Sequence, residues 1–330
     1  LHAPQVLGPG PSWHVEVGDG LPERGALARG RLGDALDDDR VAADPPALTK
    51  VEPRAEGIDH PPVADRFGQL QKRVEEIFEA EKAESIGIKI RIAAADALGQ
   101  AGDHRIINDL STQEAREKMF VEIPEGEFLM GAQKTDPKGD NFDEDAGTDE
   151  GPVRRVQLST YRISRYPVTV AQYERFVNED GYERQEFWKA GKEEKNDKPE
   201  EWEQQLLYPN RPVTGVSWFE VKAFCSWANL QLPTEAQWER AARGPGCKYR
   251  KYPWGNEEID PQRANYRDTE IKHCSPVGCF PSGNVYWDYN RECWLTDMAG
   301  NVWEWCSDWF KTYPDKSVKD TKGPESGSYG

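Results

Sequence analysis

Apolar residues recur at helical spacing after residue 63 of the chain. Five of them share one face of RFGQLQKRVEEIFEAEKAE, namely Phe67, Leu70, Val74, Ile77 and Phe78. This spacing predicts an amphipathic helix with a charged outer face. The stretch IKIRIAAADALGQAGD carries a second apolar stripe and resembles one helical unit of a HEAT-type repeat. Because a single unit cannot bury its own apolar face, we expect residues 63–115 to form a helical HEAT-like segment packed on the domain that follows.

Short strand-like stretches replace this helical pattern from residue 116 onward. MFVEIPEGEFLMGA predicts two short strands around a Glu-Gly turn. Three later helix starts repeat one arrangement, in which a Ser or Thr N-cap is followed three residues on by Gln or Glu. These pairs are Thr169 with Gln172, Ser217 with Glu220, and Thr234 with Gln237. Short capped helices between long irregular stretches indicate a coil-rich α+β domain rather than an alternating βαβ series.

Aromatic residues are abundant, with 12 Trp, 12 Tyr and 11 Phe, most of them after residue 160. Such a region can build its core from wide rings and loops. The polar insertion at residues 182–210 holds Trp188 and Trp202. We expect these two rings to pack in the core, and a peptide groove lined by the insertion is the alternative.

The opening stretch, residues 1–62, carries Pro, Gly, Asp and Arg without sustained apolar periodicity, and we expect it to be disordered or poorly ordered; a leader that is not native to the protein is the alternative. The chain of 330 residues has a formal net charge of −17, which disfavours nucleic acid and anionic membrane surfaces as partners. No apolar stretch approaches the ~20 residues that a membrane-spanning helix needs. LHAPQVLGPG does not have the pattern of a secretory signal, so we expect a cytoplasmic location.

The chain contains six cysteines, namely Cys225, Cys247, Cys274, Cys279, Cys293 and Cys306. In a chain without an export signal, free thiols are expected. Since five of the six fall between residues 247 and 306, one local disulfide is the alternative.

Seven motifs then follow in order: FVEIPEGEFLMG, RYPVTVAQYERFV, RPVTGVSWFEVKAFCSWA, LPTEAQWERAARG, YPWGNEEIDPQRANY, SPVGCFPSG and DMAGNVWEWCSDWF. Together they closely resemble the sulfatase-modifying factor, or formylglycine-generating enzyme, family from about Met119 to Gly330. The resemblance implies a coil-rich C-type lectin-like domain over residues 116–330, stabilised by calcium. Catalytic members of the family oxidise a cysteine in a sulfatase Cys-x-Pro-x-Arg peptide to Cα-formylglycine, using O2 and a copper ion held by two thiolates.

The resemblance also implies a calcium site at the start of DMAGNVWEWCSDWF. Asp297 and Glu304 would supply side-chain oxygens, and Gly300 and Val302 would supply main-chain carbonyls. Mixed carboxylate and carbonyl oxygens suit Ca²⁺, and Asn301 would help to hold the turn. The alternative is that the two carboxylates only satisfy buried backbone donors.

A second calcium site is implied at Asn265 and the Tyr266 carbonyl. Family members take further ligands from an Asp-Gly-aromatic segment before PVG, whereas this chain is shorter there and reads RDTEIKHCSPVG. Asp268 or Glu270 would have to substitute, so the sequence leaves the occupancy of this site open.

Copper is a separate matter, because the family's copper-binding cysteines follow a Gly-Gly-Ser segment beyond the WEW motif. This chain ends where that segment would be expected to begin. We therefore expect no catalytic residue within it and no cysteine oxidation by it as given, and copper only if a later cysteine pair exists. Cys274 and Cys279 have a similar C-x4-C spacing, and soft thiolates suit Cu(I), but they precede the calcium motif. Cys306 is expected to pack as a buried thiol.

Two classes of function follow from the resemblance. One is an oxidase that acts on a peptide or protein such as an unfolded sulfatase. The other is a non-catalytic lectin-like module, regulatory or retroelement-diversified, that binds a protein or another ligand. A sulfoxide synthase with histidine-bound iron is a third interpretation, which the five scattered histidines disfavour.

Overall fold

A computed structural model describes residues 61–190, 197–246, 249–288, 293–311, 313 and 318–323. Most of the leader expected to be disordered, and also Cys247, lie outside the described residues. Residues 61 and 62 of that leader are described and begin a helix. The chain divides into two compact units, of which the smaller ends at Lys72 and the larger contains the residues from Arg73 onward.

The described residues form α-helices and strands in mixed order. The helices are α1 Pro61–Glu75, α2 Ala80–Ala83, α3 Ile88–Ala101, α4 Gln113–Met119, α5 Val170–Asn178, α6 Trp202–Gln205, α7 Trp218–Ala228 and α8 Glu235–Arg243. The strands are β1 Phe120–Ile123, β2 Gly126–Met130, β3 Arg154–Leu158, β4 Tyr161–Ser164, β5 Val285–Asp288, β6 Cys293–Leu295 and β7 Val318–Lys319. This composition confirms the predicted α+β class. Every helix in the described ranges is too short or too polar to cross a membrane.

The strands form small sheets, and except for β5 and β6 the paired strands lie far apart in sequence. β1 pairs with β4 and β2 pairs with β3, both antiparallel, while β7 joins β3 in parallel. β5 and β6 form an antiparallel pair. The two strands predicted in MFVEIPEGEFLMGA are therefore confirmed as β1 and β2, although each pairs with a later strand rather than with the other.

All three predicted capping boxes are present at the starts of α5, α7 and α8. In each, the hydroxyl oxygen of the N-cap accepts from the N3 backbone N–H, and the N3 side chain accepts from the N-cap N–H. These reciprocal bonds satisfy two backbone donors that a helix start otherwise leaves open. The start of each helix is thus determined by residues within a span of four.

Wide rings build the core between α5 and α7. Tyr173 stacks on Phe224 with ring centroids 5.2 Å apart, and Phe176 packs edge-on against Phe224. Trp188 and Trp202 of the insertion are buried in the same cluster. The prediction that both tryptophans pack in the core is confirmed.

Helix α3 packs on the later domain through a buried arginine. Arg91 is fully buried, and its Nη1 donates to the Cys279 carbonyl at 2.8 Å. Ile92 and Leu98 of the same helix share a core cluster with Phe280. The predicted packing of α3 is confirmed, whereas its likeness to a HEAT repeat stays a prediction.

The helix predicted for residues 66–84 differs from its expected form. It divides into α1, a 3-10 turn at Glu76–Phe78 and α2. Phe67 and Leu70 are 52% and 60% exposed, so the predicted apolar face is buried only from Val74 onward.

Candidate functional site

The site is built on residues 296–304, which follow β6 and are called the site loop below. Three of its residues have left-handed backbone angles, with φ of 55° at Asp297, 74° at Gly300 and 67° at Asn301. A Cβ atom on Gly300 would lie 2.4 Å from the Asn265 carbonyl oxygen. Only glycine combines this φ with so close an approach of another backbone. The loop is therefore tightly folded against the segment that contains Asn265.

Asn301 fastens the site loop to that segment. Its backbone N–H donates to the Asn265 carbonyl at 2.9 Å. Its side-chain oxygen accepts from the N–H of Ser275 at 2.8 Å, from the Ser275 hydroxyl at 3.1 Å and from Asn265 Nδ2 at 3.2 Å. Asn301 Nδ2 in turn donates to the Ser275 carbonyl at 3.2 Å. The predicted role of Asn301 in holding the turn is confirmed.

Asp297 points its carboxylate at a third loop. Its Oδ2 accepts from the Gly278 N–H at 2.8 Å, and the residue is buried. Burial raises the pKa of Asp297 to about 6, although the Gly278 hydrogen bond and the charge of Arg105 both act to lower it. Asp297 thus satisfies a buried backbone donor, which was the alternative to metal binding, yet it keeps further oxygen lone pairs for a cation.

Glu304 supplies the second carboxyl group of the loop. Burial raises its pKa to about 7, a hydrogen bond from Trp238 acts to lower it, and the charge of Asp297 raises it further. The two carboxyl groups therefore lie within electrostatic range of each other. Glu304 keeps some accessible surface, and a cation bound to both carboxylates would offset their repulsion.

The predicted main-chain ligands are in the same turn. The Gly300 carbonyl accepts from the Val302 N–H at 2.9 Å, which leaves it one lone pair, and Val302 is half-buried. Within the described ranges, no three His, Cys, Asp or Glu side chains converge as a metal-binding group. Calcium does not require such a group, because carbonyl oxygens complete its shell. The donor set of the loop fits calcium in its chemistry.

The residues of the second predicted calcium site are arranged differently. Asn265 is buried and Tyr266 is half-buried, whereas Asp268 and Glu270 are both exposed. A hydroxyl that the sequence did not single out, that of Thr269, lies between the first two. It donates toward the Tyr266 carbonyl at 2.6 Å and the Asn265 side-chain oxygen at 3.1 Å.

The cysteines near the site lie in surroundings that favour the protonated thiol. Cys279 is fully buried and Cys274 is half-buried, and burial raises the pKa of both. Burial also raises the pKa of Cys306 well above its usual value, in line with its predicted packing. All five described cysteines have free thiols. The pKa values of Cys274, Cys279 and Cys306 are therefore shifted away from the lowered range that favours copper binding or nucleophilic chemistry.

Two adjoining cavities, of about 430 Å³ and 440 Å³, flank the site loop and together are called the cleft below. They share a wall of six residues, namely Pro212, Val213, Val216, Val302, Trp303 and Trp305. Trp305 is fixed there by a hydrogen bond from its Nε1 to the Val216 carbonyl at 3.0 Å. Glu304 lines the first cavity and Cys274 the second. The aromatic end of the site loop is therefore a surface of the cleft as well as part of the predicted metal site.

The second cavity also contains a neutralised arginine. Arg211 forms two hydrogen bonds with the Asp96 carboxylate, at 3.0 Å and 2.8 Å. Its guanidinium lies 3.7 Å from the centre of the Tyr208 ring, and it contacts His273 Nδ1 at 3.2 Å. Glu201 lines the same cavity. At this end of the cleft, the positive charge of Arg211 is therefore balanced by Asp96.

The partners of the site loop come from segments that the sequence did not connect with it. Thr269, Ser275 and Gly278 carry no signal in their spacing, although Ser275 and Gly278 stand in the motif SPVGCFPSG. The sequence shows this motif as part of the resemblance to the family, but it does not show that the motif contacts the site loop.

Comparison with known proteins identifies the family to which this fold belongs. Residues 107–329 match the sulfatase-modifying factor enzyme 1-like domain. The formylglycine-generating enzyme of Thermomonospora curvata is 35% identical over 266 residues, which cover 64% of this chain and 80% of that protein. The Bos taurus formylglycine-generating enzyme is 32% identical over 254 residues and the match covers 63% of each chain. The Bos taurus protein named inactive C-alpha-formylglycine-generating enzyme 2 is 30% identical over 244 residues, covering 62% of this chain and 75% of that protein.

These observations define a coil-rich α+β domain that carries its site on an aromatic loop beside a cleft. The chain belongs to the sulfatase-modifying factor family, as its motifs indicated. The chain spans less than two thirds of the bovine enzyme's length. The relatives include proteins named as enzymes and proteins named as inactive.

Proposed function

We propose that this domain binds an extended segment of a protein partner in the cleft on both sides of the site loop. The observation that carries the proposal is the shared wall, because Trp303 and Trp305 border both cavities. Tryptophan offers a large rigid apolar surface for an incoming chain. Each cavity is within the usual size range of ligand sites, roughly 300–1,000 Å³.

The charge of the cleft favours a cationic segment. Glu201 lines the second cavity, Arg211 in that cavity is neutralised by Asp96, and the chain has a formal net charge of −17. An acidic surface attracts positively charged ligands over a long range. A sulfatase segment of the form Cys-x-Pro-x-Arg, which the resemblance implies as a substrate, carries such a charge on its arginine.

Calcium is the second part of the proposal. Asp297 and Glu304, with the carbonyls of Gly300 and Val302, would hold the ion and so fix one wall of the cleft. The ion would neutralise the two buried carboxylates, whose repulsion contributes to the raised pKa of Glu304. The support for this assignment is the burial of the two carboxyl groups and the oxygen-only donor set.

Cysteine oxidation is not supported by the described residues. The family's reaction uses copper on two thiolates, whereas burial holds the thiols of Cys274 and Cys279 in the protonated form. We therefore assign binding to the cleft, and we do not assign oxidation to Cys274 and Cys279. The identity to the Thermomonospora curvata enzyme favours an oxidase as the second candidate.

Peptide titration tests the proposal. A fluorescent peptide containing Cys-x-Pro-x-Arg should bind the calcium-loaded protein, and Trp303→Ala should weaken binding about tenfold or more, as expected for a buried aromatic contact. Trp254→Ala is the matched control, because Trp254 is outside the lining of the cleft. Equal affinities for the parent and Trp303→Ala would contradict binding in the cleft. Mass spectrometry of the same peptide after incubation with Cu(I) and O2 reports on the oxidase alternative.

A further inference from the structure

The Thr269 hydroxyl occupies the centre of the second predicted calcium site. The two oxygens that the resemblance assigned to calcium are the Asn265 side-chain oxygen and the Tyr266 carbonyl. Both accept from Thr269 Oγ1, at 3.1 Å and 2.6 Å. Thr269 is buried, so the hydroxyl does not turn away to solvent.

The Tyr266 carbonyl has no lone pair left for a cation. It accepts the Thr269 N–H at 2.9 Å in addition to the Thr269 hydroxyl. A carbonyl oxygen has two lone pairs, and Thr269 takes both. The geometry arises because Arg267–Thr269 forms a 3-10 turn, which brings residue 269 back over the carbonyl of residue 266.

Hydrogen bonds also fix the orientation of the Asn265 side-chain amide. Its Nδ2 donates to the His273 carbonyl at 2.9 Å and to the Asn301 side-chain oxygen at 3.2 Å. Because both amide hydrogens have acceptors, the amide does not rotate, and its oxygen faces Thr269. The same amide thus belongs to the contact that fastens the site loop.

Calcium would need further ligands from the carboxylates that follow this pair. Ca²⁺ takes six to eight oxygens at about 2.3–2.6 Å. Asp268, the carboxylate that would substitute for the family's missing segment, is exposed, as is Glu270. The Thr269 hydroxyl has a single proton, which it shares between the two oxygens, and a cation bound to the same pair of oxygens would have to displace it.

We propose that the Asn265–Tyr266 pair holds no cation in this protein, and that the Thr269 hydroxyl performs the linking role of a metal there. The hydroxyl thereby fixes Asn265, which together with Ser275 forms the hydrogen bonds to Asn301 of the site loop. This inference does not depend on whether calcium binds the site loop.

Calcium counting and thermal melting test the inference on the full chain. Metal-free protein is dialysed against calcium, and bound ion is measured by elemental analysis for the parent, Asp268→Asn and Glu304→Gln. We expect at most one calcium per chain in the parent, the same count in Asp268→Asn, and loss of that ion in Glu304→Gln. Two ions in the parent, one of them lost in Asp268→Asn, would overturn the inference. A parent that binds no calcium would refute the proposed site-loop ion and leave this inference standing.

Melting of two threonine variants tests the hydroxyl itself. Thr269→Val keeps the shape and removes the donor, whereas Thr269→Ser keeps the donor. We expect Thr269→Val to melt about 2–4 °C lower than the parent, by the same amount in calcium and in chelator, and Thr269→Ser to lie closer to the parent. An unchanged Tm for Thr269→Val, or a loss seen only in calcium, would show that the hydroxyl does not play this role.

Discussion

Asn301 and Ser275 bind each other in both directions. The Asn301 amide accepts the backbone N–H of Ser275 at 2.8 Å and donates to the Ser275 carbonyl at 3.2 Å, while the residues stand 26 positions apart in the chain. The amide thereby pairs with the backbone of Ser275 as a neighbouring strand would, and it joins two irregular loops. Both residues are among the most deeply buried polar residues of the chain, at 1% and 0% exposure.

Asn301→Ala should therefore destabilise the protein more than the loss of one hydrogen bond would. It leaves the N–H and carbonyl of Ser275 buried without their side-chain partner, which we expect to lower the free energy of unfolding by about 2–4 kcal/mol. Urea unfolding measures this change. Ser275→Ala is the control, because it removes only the 3.1 Å hydroxyl bond and should cost about 0.5–1.5 kcal/mol. Similar losses for the two variants would mean that Asn301 does not fasten the loops.

Gly300→Ala tests the close approach of the site loop to Asn265. The new Cβ would meet the Asn265 carbonyl oxygen at 2.4 Å at a φ of 74°, so the loop has to shift. Gly246 is a matched control, because its φ is 99° and nothing lies within 4 Å of an added Cβ. We expect Gly246→Ala to cost about 1–2 kcal/mol from its backbone angle, and Gly300→Ala to cost clearly more. Equal costs, measured by urea unfolding, would rule out a steric requirement at Gly300.

The sequence was most informative where structure is decided within a few residues. The capping boxes at Thr169, Ser217 and Thr234 involve residues three apart, and each helix begins where its box predicts. β1 and β2 were likewise visible, because alternating apolar residues need no partner to be recognised. Their pairing with β4 and β3 was not, because it depends on contacts across several tens of residues.

The site was predictable in part for the same reason. Asp297, Gly300, Val302 and Glu304 stand in one short motif, so the resemblance placed them together. Thr269 was missed because its role depends on a 3-10 turn, and no pattern in RDTEIKHCSPVG shows which oxygen the hydroxyl will face. The exposure of Asp268 could not be predicted either, since it follows from the path of that turn.

Arg91→Met tests how firmly α3 is held on the domain. The variant keeps most of the apolar stem and leaves the Cys279 carbonyl and the Gln262 side-chain oxygen without their arginine donor. We expect a loss of about 2–4 kcal/mol in the free energy of unfolding, because buried acceptors lose their partner. Hydrogen exchange should also become faster at the α3 amides and not elsewhere. A purely global loss of stability would instead speed up exchange throughout the protein. Lys82→Met, at an exposed position, is the control and should change neither quantity measurably.

Glu235 should make the stability of the protein depend on pH. Its carboxyl group accepts a hydrogen bond from the Tyr313 hydroxyl. The residue keeps some accessible surface, but the group lies near Asp308 and Glu239, and burial, followed by these charges, raises its pKa from 4.5 to about 8. The native state therefore holds this proton more tightly than the unfolded chain does. The resulting stabilisation is fully present below about pH 4.5 and is lost as the pH rises to about 8.

Glu235→Gln keeps an acceptor for Tyr313 and removes the ionisation. Its free energy of unfolding should rise relative to that of the parent between pH 5 and pH 8, by an amount on the order of a few kcal/mol. Urea unfolding of both proteins at several pH values gives the difference directly and cancels the titration of the carboxyl groups that do not interact with Glu235. The exposed Glu125→Gln variant is the control and should keep a constant offset from the parent over the same range. A constant offset for Glu235→Gln as well would show that Glu235 ionises in the native protein as it does in the unfolded chain.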